Sequence, residues 1–357
     1  MEPTTAPDVV ETLADGDGRD FPPLLVLDRV ADFLDAHGLG HGPLRWERIG
    51  DGQSNVTFRI QRGDLDLVLR RGPRPPLPPS THDMVREARI LRLLRPHGIP
   101  VPDVFAVCED ESLLGVPFYV MEWLDGTVIT DQVPPQLDTL EQRQATSLAT
   151  VTTLVQLHSV DVTDGPLREL GRPDGFLERQ VRRFAELWDV NSTRSLPAVP
   201  QLAEWLTANL PTSQAASVVH GDYRLGNLMF DRVAPSTPVA LLDWEMATTG
   251  DPLTDLGYLT ATWTDPDTPP HPLELSPVTA LPGFLRSHEL AALYGDRTGR
   301  DLSSLPWYQT LALWKAAIFC EAIYSRWLRG ERPDDTTFGP TLDEGVPALL
   351  TAALRHT

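Results

Sequence analysis

Val219-His220-Gly221-Asp222-Tyr223-Arg224-Leu225-Gly226-Asn227-Leu228-Met229-Phe230 sets an acid, a cation and a carboxamide on one short loop between two apolar runs. Sixteen residues after Asn227, behind a further apolar run, comes a second acid, Asp243. This spacing suits phosphoryl transfer, in which one carboxylate accepts a hydroxyl proton while an Asn and an Asp hold the magnesium that bridges the nucleotide phosphates. Asp222 is the candidate base, and Asn227 and Asp243 are the candidate metal ligands.

Downstream, Leu228-Met229-Phe230 and Pro238-Val239-Ala240-Leu241-Leu242 predict a hairpin that ends at Asp243-Trp244-Glu245. Gly250-Asp251-Pro252 then opens a helix, with Asp251 as N-cap, Pro252 at N1 and Asp255 near the positive end of the dipole. Helices are predicted over 282–293, 307–328 and 342–354, with Trp307, Trp314, Phe319 and Trp327 as core packing. Upstream of the loop, helical spacing covers 137–158, 175–188 and 200–210. The second of these carries Arg179, Arg182 and Arg183, either a solvated face or a cation patch for an anionic substrate group.

The N-terminal third reads differently. Residues 1–20 are poor in large apolar side chains and read as a mobile tail. A helix is predicted over 23–37, ending at Gly38, and strands over 44–49, 56–60, 65–71, 104–108 and 116–123, with the acidic turn Glu109-Asp110-Glu111 before the last. The turn Gly50-Asp51-Gly52-Gln53-Ser54-Asn55 is either a plain hairpin turn or a phosphate lid, in which glycine lets backbone N–H groups approach phosphate and Ser54 adds a hydroxyl donor. It is not a P-loop, because no Gly-Lys-Ser/Thr follows Gly52. The strand at 65–71 delivers Arg70 and Arg71, the Pro-rich stretch 73–79 makes a stiff connection, and a helix over 81–95 offers Glu87 as an ion-pair partner. Glu122-Trp123-Leu124-Asp125-Gly126 breaks the last strand into a turn, a hinge whose free backbone groups would pair with an adenine edge.

Thirty basic residues against fifty acidic ones give a net charge of −20, which argues against nucleic acid and anionic membranes as partners. The acidic excess either aids solubility alone or draws in cationic small molecules. No apolar run approaches a membrane span, and the start of the chain lacks the basic, apolar character of a signal sequence, so a cytoplasmic protein is expected. Cys108 and Cys320 sit far apart in apolar contexts and are expected as free thiols.

In order, His220-Gly221-Asp222, Asn227, Asp243-Trp244-Glu245, Gly250-Asp251-Pro252 and Asp255-Leu256 resemble the motifs of the aminoglycoside phosphotransferase and choline kinase family, from about residue 24 onward. Gln53-Ser54-Asn55, Val68-Leu69-Arg70-Arg71 and Gly175-Phe176-Leu177-Glu178-Arg179-Gln180 look most like the kinase-like domains fused to some acyl-CoA dehydrogenases and their free-standing bacterial relatives. The resemblance implies an α+β, two-lobed protein-kinase-like fold, with a small antiparallel β-sheet lobe over 21–124 and a larger, mainly helical lobe over 125–357. It implies ATP or GTP and Mg2+ as cofactors, and a small-molecule hydroxyl as acceptor. Asp222 becomes the catalytic acid or base, and Arg224 stabilises charge on the transferred group. Asn227 and Asp243 hold the metal, and His220 and Asp255 support the loop. Gly50, Gly52, Ser54, Arg70, Glu87, Glu122, Leu124 and Met229 belong to the nucleotide side, the backbones of Glu122 and Leu124 meeting adenine. Where kinases usually carry lysine this chain has Arg70, with Arg71 as the fallback.

Only twelve positions separate Asp243 from Asp255, too few for the activation segment of a protein kinase. The acceptor is expected to be either an aminoglycoside-type cation or a hydroxyacyl-CoA-like anion. A nucleotide-binding pseudokinase is the rival reading, and the retention of Asp222, Asn227 and Asp243 together speaks against it.

Overall fold

A computed structural model describes residues 8–16, 21–50, 55–75, 82–135, 138–234, 236–269, 271–272, 275–331 and 335–357. The chain divides into two units, Met1–Asp125 and Gly126–Thr357. The first is built on a sheet whose strands read as alternation. Strands β1 (Val9–Val10) and β2 (Leu25–Val26) pair in parallel and lead into helix α1 (Leu27–Ala36). Then come β3 (Arg45–Ile49), β4 (Val56–Arg62), β5 (Leu65–Arg71), α2 (Met84–Leu94), β6 (Val104–Cys108), α3 (Glu111–Leu114) and β7 (Phe118–Glu122). β3 to β7 form one antiparallel sheet in the order β3-β4-β5-β7-β6. In β4, Val56, Phe58 and Ile60 point into a core shared with Leu67, Leu69, Phe118, Val120 and Cys108. Burial of each such side chain stabilises the unit by roughly 1.5–3 kcal/mol.

Two differences from the sequence reading have local causes. The helix expected from Pro23 starts at Leu27, because the N–H groups of Leu24 and Leu25 bond to the Asp8 carbonyl and Leu25–Val26 extends as β2. The acidic turn is the short helix α3, where the Asp110 carboxylate accepts from Ser112 N–H at 2.9 Å. α2 is capped in the same way by Asp83, which accepts from Arg86 N–H at 2.9 Å. Part of the expected proline connection, residues 76–79, lies outside the described residues.

The second unit holds β8 (Gly126–Val128), α4 (Leu140–His158), α5 (Phe176–Asn191), α6 (Ala198–Ala208), β9 (Ser217–Val219), β10 (Leu228–Asp231), β11 (Pro238–Leu241), β12 (Thr248–Gly250), α7 (Leu253–Thr262), α8 (Ser287–Thr298), α9 (Leu305–Leu328) and α10 (Phe338–Leu354). β8, β10 and β11 form one antiparallel sheet, and β9 pairs with β12. α9 is the centre, packed by α5, α6, α7 and α10 and burying Trp307, Tyr308, Leu311 and Trp314. α7 comes so near that a Cβ at Gly257 would sit 2.6 Å from the Tyr308 Cβ. α4 buries Thr146, Thr150 and Thr153 without orphaning their hydroxyls, since each donates to the carbonyl four residues back, at 2.9, 2.9 and 3.0 Å.

Here too the boundaries move for physical reasons. The helix expected from Pro282 starts at Ser287, because Gly283 turns at φ +101 and the Glu289 carboxylate caps Arg286 N–H at 2.7 Å. Asp251 sits one place further from α7 than expected, yet its carboxylate still accepts from Leu253 N–H at 3.0 Å and from the Tyr308 hydroxyl at 2.8 Å. Phe319, expected in the core, is 45% exposed. Cys108 and Cys320 are free thiols. Among the described residues, no helix is long and apolar enough to cross a membrane.

Candidate active site

The loop between β9 and β10 is held from below by Asp255. Its two carboxylate oxygens accept from the N–H of His220 at 2.7 Å and of Gly221 at 2.8 Å. Asp255 is fully buried, and its position in the first turn of α7 lets one anion satisfy two backbone donors that a turning chain leaves unpaired. Gly221 makes the turn at φ +87, with the Met246 carbonyl 2.8 Å from where a Cβ would stand, so glycine is required on both counts. The buried His220 ring then locks the neighbouring segments together: Nδ1 accepts from Asp222 N–H at 3.3 Å and Nε2 donates to the Leu242 carbonyl at 2.9 Å. That pairing fixes the tautomer with the proton on Nε2.

Above this support, Asn227 donates to the Asp222 carbonyl at 2.8 Å and to its carboxylate at 2.7 Å. Arg224 Nε approaches the same carboxylate to 3.5 Å, an ion pair without hydrogen-bond geometry. The guanidinium folds over Gly226, where any side chain would collide with it. Asp222 and Arg224 both remain partly open to solvent. The expected hairpin is present, with Leu228 opposite Leu241 and Met229 opposite Ala240, and Leu242 N–H bonds to the Asn227 carbonyl at 2.8 Å. Asp243 follows in the left-handed region at φ +66, a conformation that costs a non-glycine residue on the order of 1 kcal/mol or more and persists where function holds it.

The donor set fits magnesium. The Asn227 amide nitrogen is committed to Asp222, which leaves its carbonyl oxygen as an acceptor, and carboxamide and carboxylate oxygens such as those of Asn227 and Asp243 are hard ligands of the kind that suits Mg2+. Among the described residues no group of three or more His, Cys, Asp or Glu forms a metal cage. Magnesium bound through one or two side chains draws its remaining ligands from phosphates and water.

Two further residues belong here that the sequence reading missed. Tyr258, one turn after Asp255 on α7, lies near the Asp222 carboxylate, and burial together with that anion raises its phenol well above the ordinary value. The i, i+3 spacing of Asp255 and Tyr258 is the signal that places both on one side of α7. His158, the last residue of α4, contacts Asp255 at 3.2 Å through Nε2 and the Tyr294 hydroxyl at 2.8 Å through Nδ1. Burial lowers its pKa despite Asp255, so the ring is neutral and braces the acid by hydrogen bonding.

In the N-terminal unit, Arg70 Nε pairs with Glu87 at 3.1 Å, the helix acid being nearly buried and the cation partly so. Arg71, on the other side of the strand, is fully buried, donates to the carbonyls of Leu24 and Gly72, and is lowered to about 10 by burial. The fallback is therefore a structural residue. Gly50 turns at φ +74, while Gly52 and Ser54 lie outside the described residues. Glu122 ends β7, its N–H bonded to the Asp103 carbonyl at 2.8 Å, and Leu124 follows outside any strand. In the second unit Met229 lies on β10 between Val128 and Ala240. Of the three α5 arginines, Arg179 donates to the carbonyls of Arg172 and Asp174, Arg182 makes a loose, exposed pair with Glu186 at 4.0 Å, and Arg183 is exposed.

A family model described as "Phosphotransferase enzyme family" matches residues 45–281. Acyl-CoA dehydrogenase family member 10 of Mus musculus is 34% identical over 298 residues, covering 83% of this chain. The chain spans only 28% of that relative's length. The crystal structure of a candidate aminoglycoside phosphotransferase from Ralstonia eutropha has a TM-score of 0.73 at 29% identity, covering 92% of this chain and 98% of that one. A thermostable mutant of aminoglycoside phosphotransferase APH(4)-Ia, in ternary complex with AMP-PNP and hygromycin B, shares the fold with a TM-score of 0.59 at 16% identity, covering 90% of this chain and 97% of that one.

Proposed function

The chain belongs to the phosphotransferase enzyme family, and we propose that it transfers the γ-phosphoryl group of ATP, with GTP as an alternative donor, to a hydroxyl of a small molecule. The observation that carries this is the doubly bonded Asp222–Asn227 pair above the Asp255 brace, which brings the candidate base and the candidate metal ligand within hydrogen-bond distance. In the reaction the acceptor oxygen forms a bond to phosphorus as the bond from phosphorus to the β,γ-bridging oxygen breaks. The acceptor proton passes to Asp222, and the nucleoside diphosphate departs. Arg224 stabilises charge on the equatorial oxygens of the group in flight. Mg2+, held by Asn227 and Asp243, would neutralise charge on the phosphates. Arg70, oriented by Glu87, and the turn from Gly50 to Ser54 are assigned to the nucleotide phosphates, and Glu122, Leu124 and Met229 to the base.

Two acceptor classes follow from different observations. The acidic excess favours a cationic, aminoglycoside-type compound. The likeness to a protein named for acyl-CoA dehydrogenation favours a hydroxyacyl-CoA-like anion. A coupled ADP-release assay with MgATP against both classes tests the reading, with Asp222→Ala protein as the control. Tight ATP binding without ADP release for any acceptor would replace it with a nucleotide-binding module that does not turn over.

A further inference from the structure

Among the thirty lysines and arginines of the chain, Lys315 is the one lysine. It interrupts the apolar middle of α9, flanked by the buried Trp314, Ala316 and Ala317. Its Nζ donates to the Gln180 carboxamide oxygen at 3.0 Å and lies 4.6 Å from the centroid of the Phe184 ring, both on α5. Among the described residues no carboxylate lies within ion-pair distance of it. An ammonium offers three N–H donors, and one carboxamide oxygen takes one of them. A partly buried cation without a counter-ion is costly, and a titratable group perturbed by its surroundings marks a candidate functional site.

The surroundings say where that ligand would sit. Phe319, one turn after Lys315, is 45% exposed and stands edge-on to Phe184 with centroids 5.1 Å apart, so the Gln180, Phe184, Lys315 and Phe319 patch reaches solvent. α9 packs on α7, the helix that carries Asp255 beneath the loop and Tyr258 near Asp222. Arg183 adds positive potential from α5, whereas Arg179 is occupied by backbone carbonyls. A lysine suits the position because its compact ammonium fits between a ring and a carboxamide where a planar guanidinium would need more room.

We propose that Lys315 binds an oxyanion of the acceptor, a carboxylate or a phosphate ester, carried on the molecule whose hydroxyl faces Asp222. This rests on the phosphotransferase reading and names its acceptor as an anion. Lys315 is a specificity residue: it holds a part of the acceptor remote from the reacting oxygen.

Because the chain has one lysine, reductive methylation with carbon-13 formaldehyde labels only Lys315 and the terminal amine, and Lys315→Arg protein assigns the signal. Lactate, inorganic phosphate, coenzyme A and an aminoglycoside are then titrated in the presence of MgADP. The expected result is that at least one of the three anions moves the Lys315 signal and raises its titration midpoint by about one pH unit, as an added counter-charge does. The aminoglycoside is expected to leave it unmoved. In the ADP-release assay, Lys315→Gln should raise KM for a hydroxyacyl-CoA about tenfold with kcat within about threefold, and Lys315→Arg should restore part of the loss. Turnover of an aminoglycoside with a signal indifferent to every anion overturns the proposal and leaves the phosphotransferase reading standing. A signal that answers to anions in a protein that phosphorylates none of the acceptors overturns that reading and the acceptor role with it.

Discussion

The side-chain amide of Asn227 reaches back to Asp222 twice, to its carbonyl at 2.8 Å and to its carboxylate at 2.7 Å, so under the proposed function one residue would both aim the base and present an oxygen to the metal. The three polar residues should therefore fail differently. Asp222→Ala is expected to lower kcat by about 10²–10⁴ with nucleotide binding retained, because only the proton acceptor is lost. Asp243→Ala should weaken MgATP binding, read by calorimetry with and without magnesium. Asn227→Ala should do both. Unaltered phosphoryl transfer by Asp222→Ala protein would falsify the assignment of the base.

Asp255 closes two backbone donors and meets His158 in a fully buried site, so its removal is a folding defect first. Asp255→Ala leaves the N–H groups of His220 and Gly221 without their anion, and hydrogen bonds to a charged group are worth about 1.5–3 kcal/mol each. The expected outcome is a loss of roughly 3 kcal/mol or more in urea unfolding, together with loss of activity. Asp255→Asn should recover part of the stability, since its one carbonyl oxygen replaces only one of the two acceptors.

The sheet and the loop were legible because they rest on local chemistry: alternation sets β4 and β5, and glycine with a flanking acid and amide sets the turn at Gly221 to Asn227. What the residues hid was tertiary. Nothing local distinguishes Arg70 from Arg71 until the strand register turns one toward Glu87 and the other toward the Leu24 carbonyl. The strand at Val9–Val10 depends on a partner sixteen residues on. Tyr258 and Lys315 lie on buried helices, and their polar surroundings, Asp222 from the loop and Gln180 from α5, come from segments distant in sequence.

Gly226 is a space reserved for the Arg224 guanidinium. Gly226→Ala should displace the cation from Asp222 while leaving the rest of the loop in place, because Gly226 does not have a positive φ. The expected result is a fall in kcat close to that of Arg224→Ala, with little change in melting temperature. If the double variant lost the product of the two single losses, the residues would be acting separately and the steric account would be wrong.

Tyr258 is held as a neutral phenol by burial and by the Asp222 carboxylate, with its pKa well above 10.0. The sign is that the proton stays on through the working range, so no loss of rate below pH 10 arises from this group. Tyr258→Phe, which removes the hydroxyl near Asp222, should lower kcat by up to about tenfold and leave the alkaline side of the rate profile unchanged. Appearance of a tyrosinate absorbance that follows the rate below pH 10 would contradict this.

Lys315 makes stability depend on pH with a definite sign. Burial lowers its amine from 10.5 to about 8 in the folded protein, so between those two values the unfolded chain binds the extra proton and stability rises with pH. Below pH 8 the ammonium is charged in both states and its burial cost is fully present. Lys315→Met removes that cost while keeping the length of the side chain. After allowance for the partial exposure of Lys315, the variant should be about 2 kcal/mol more stable than the parent near pH 7. The difference should shrink steadily as pH approaches 10.5, the ordinary value of the amine. Urea unfolding of both proteins across this range, at constant ionic strength, measures it. A stability difference that stayed constant with pH would mean that the Lys315 side chain matters there only for packing, not for charge.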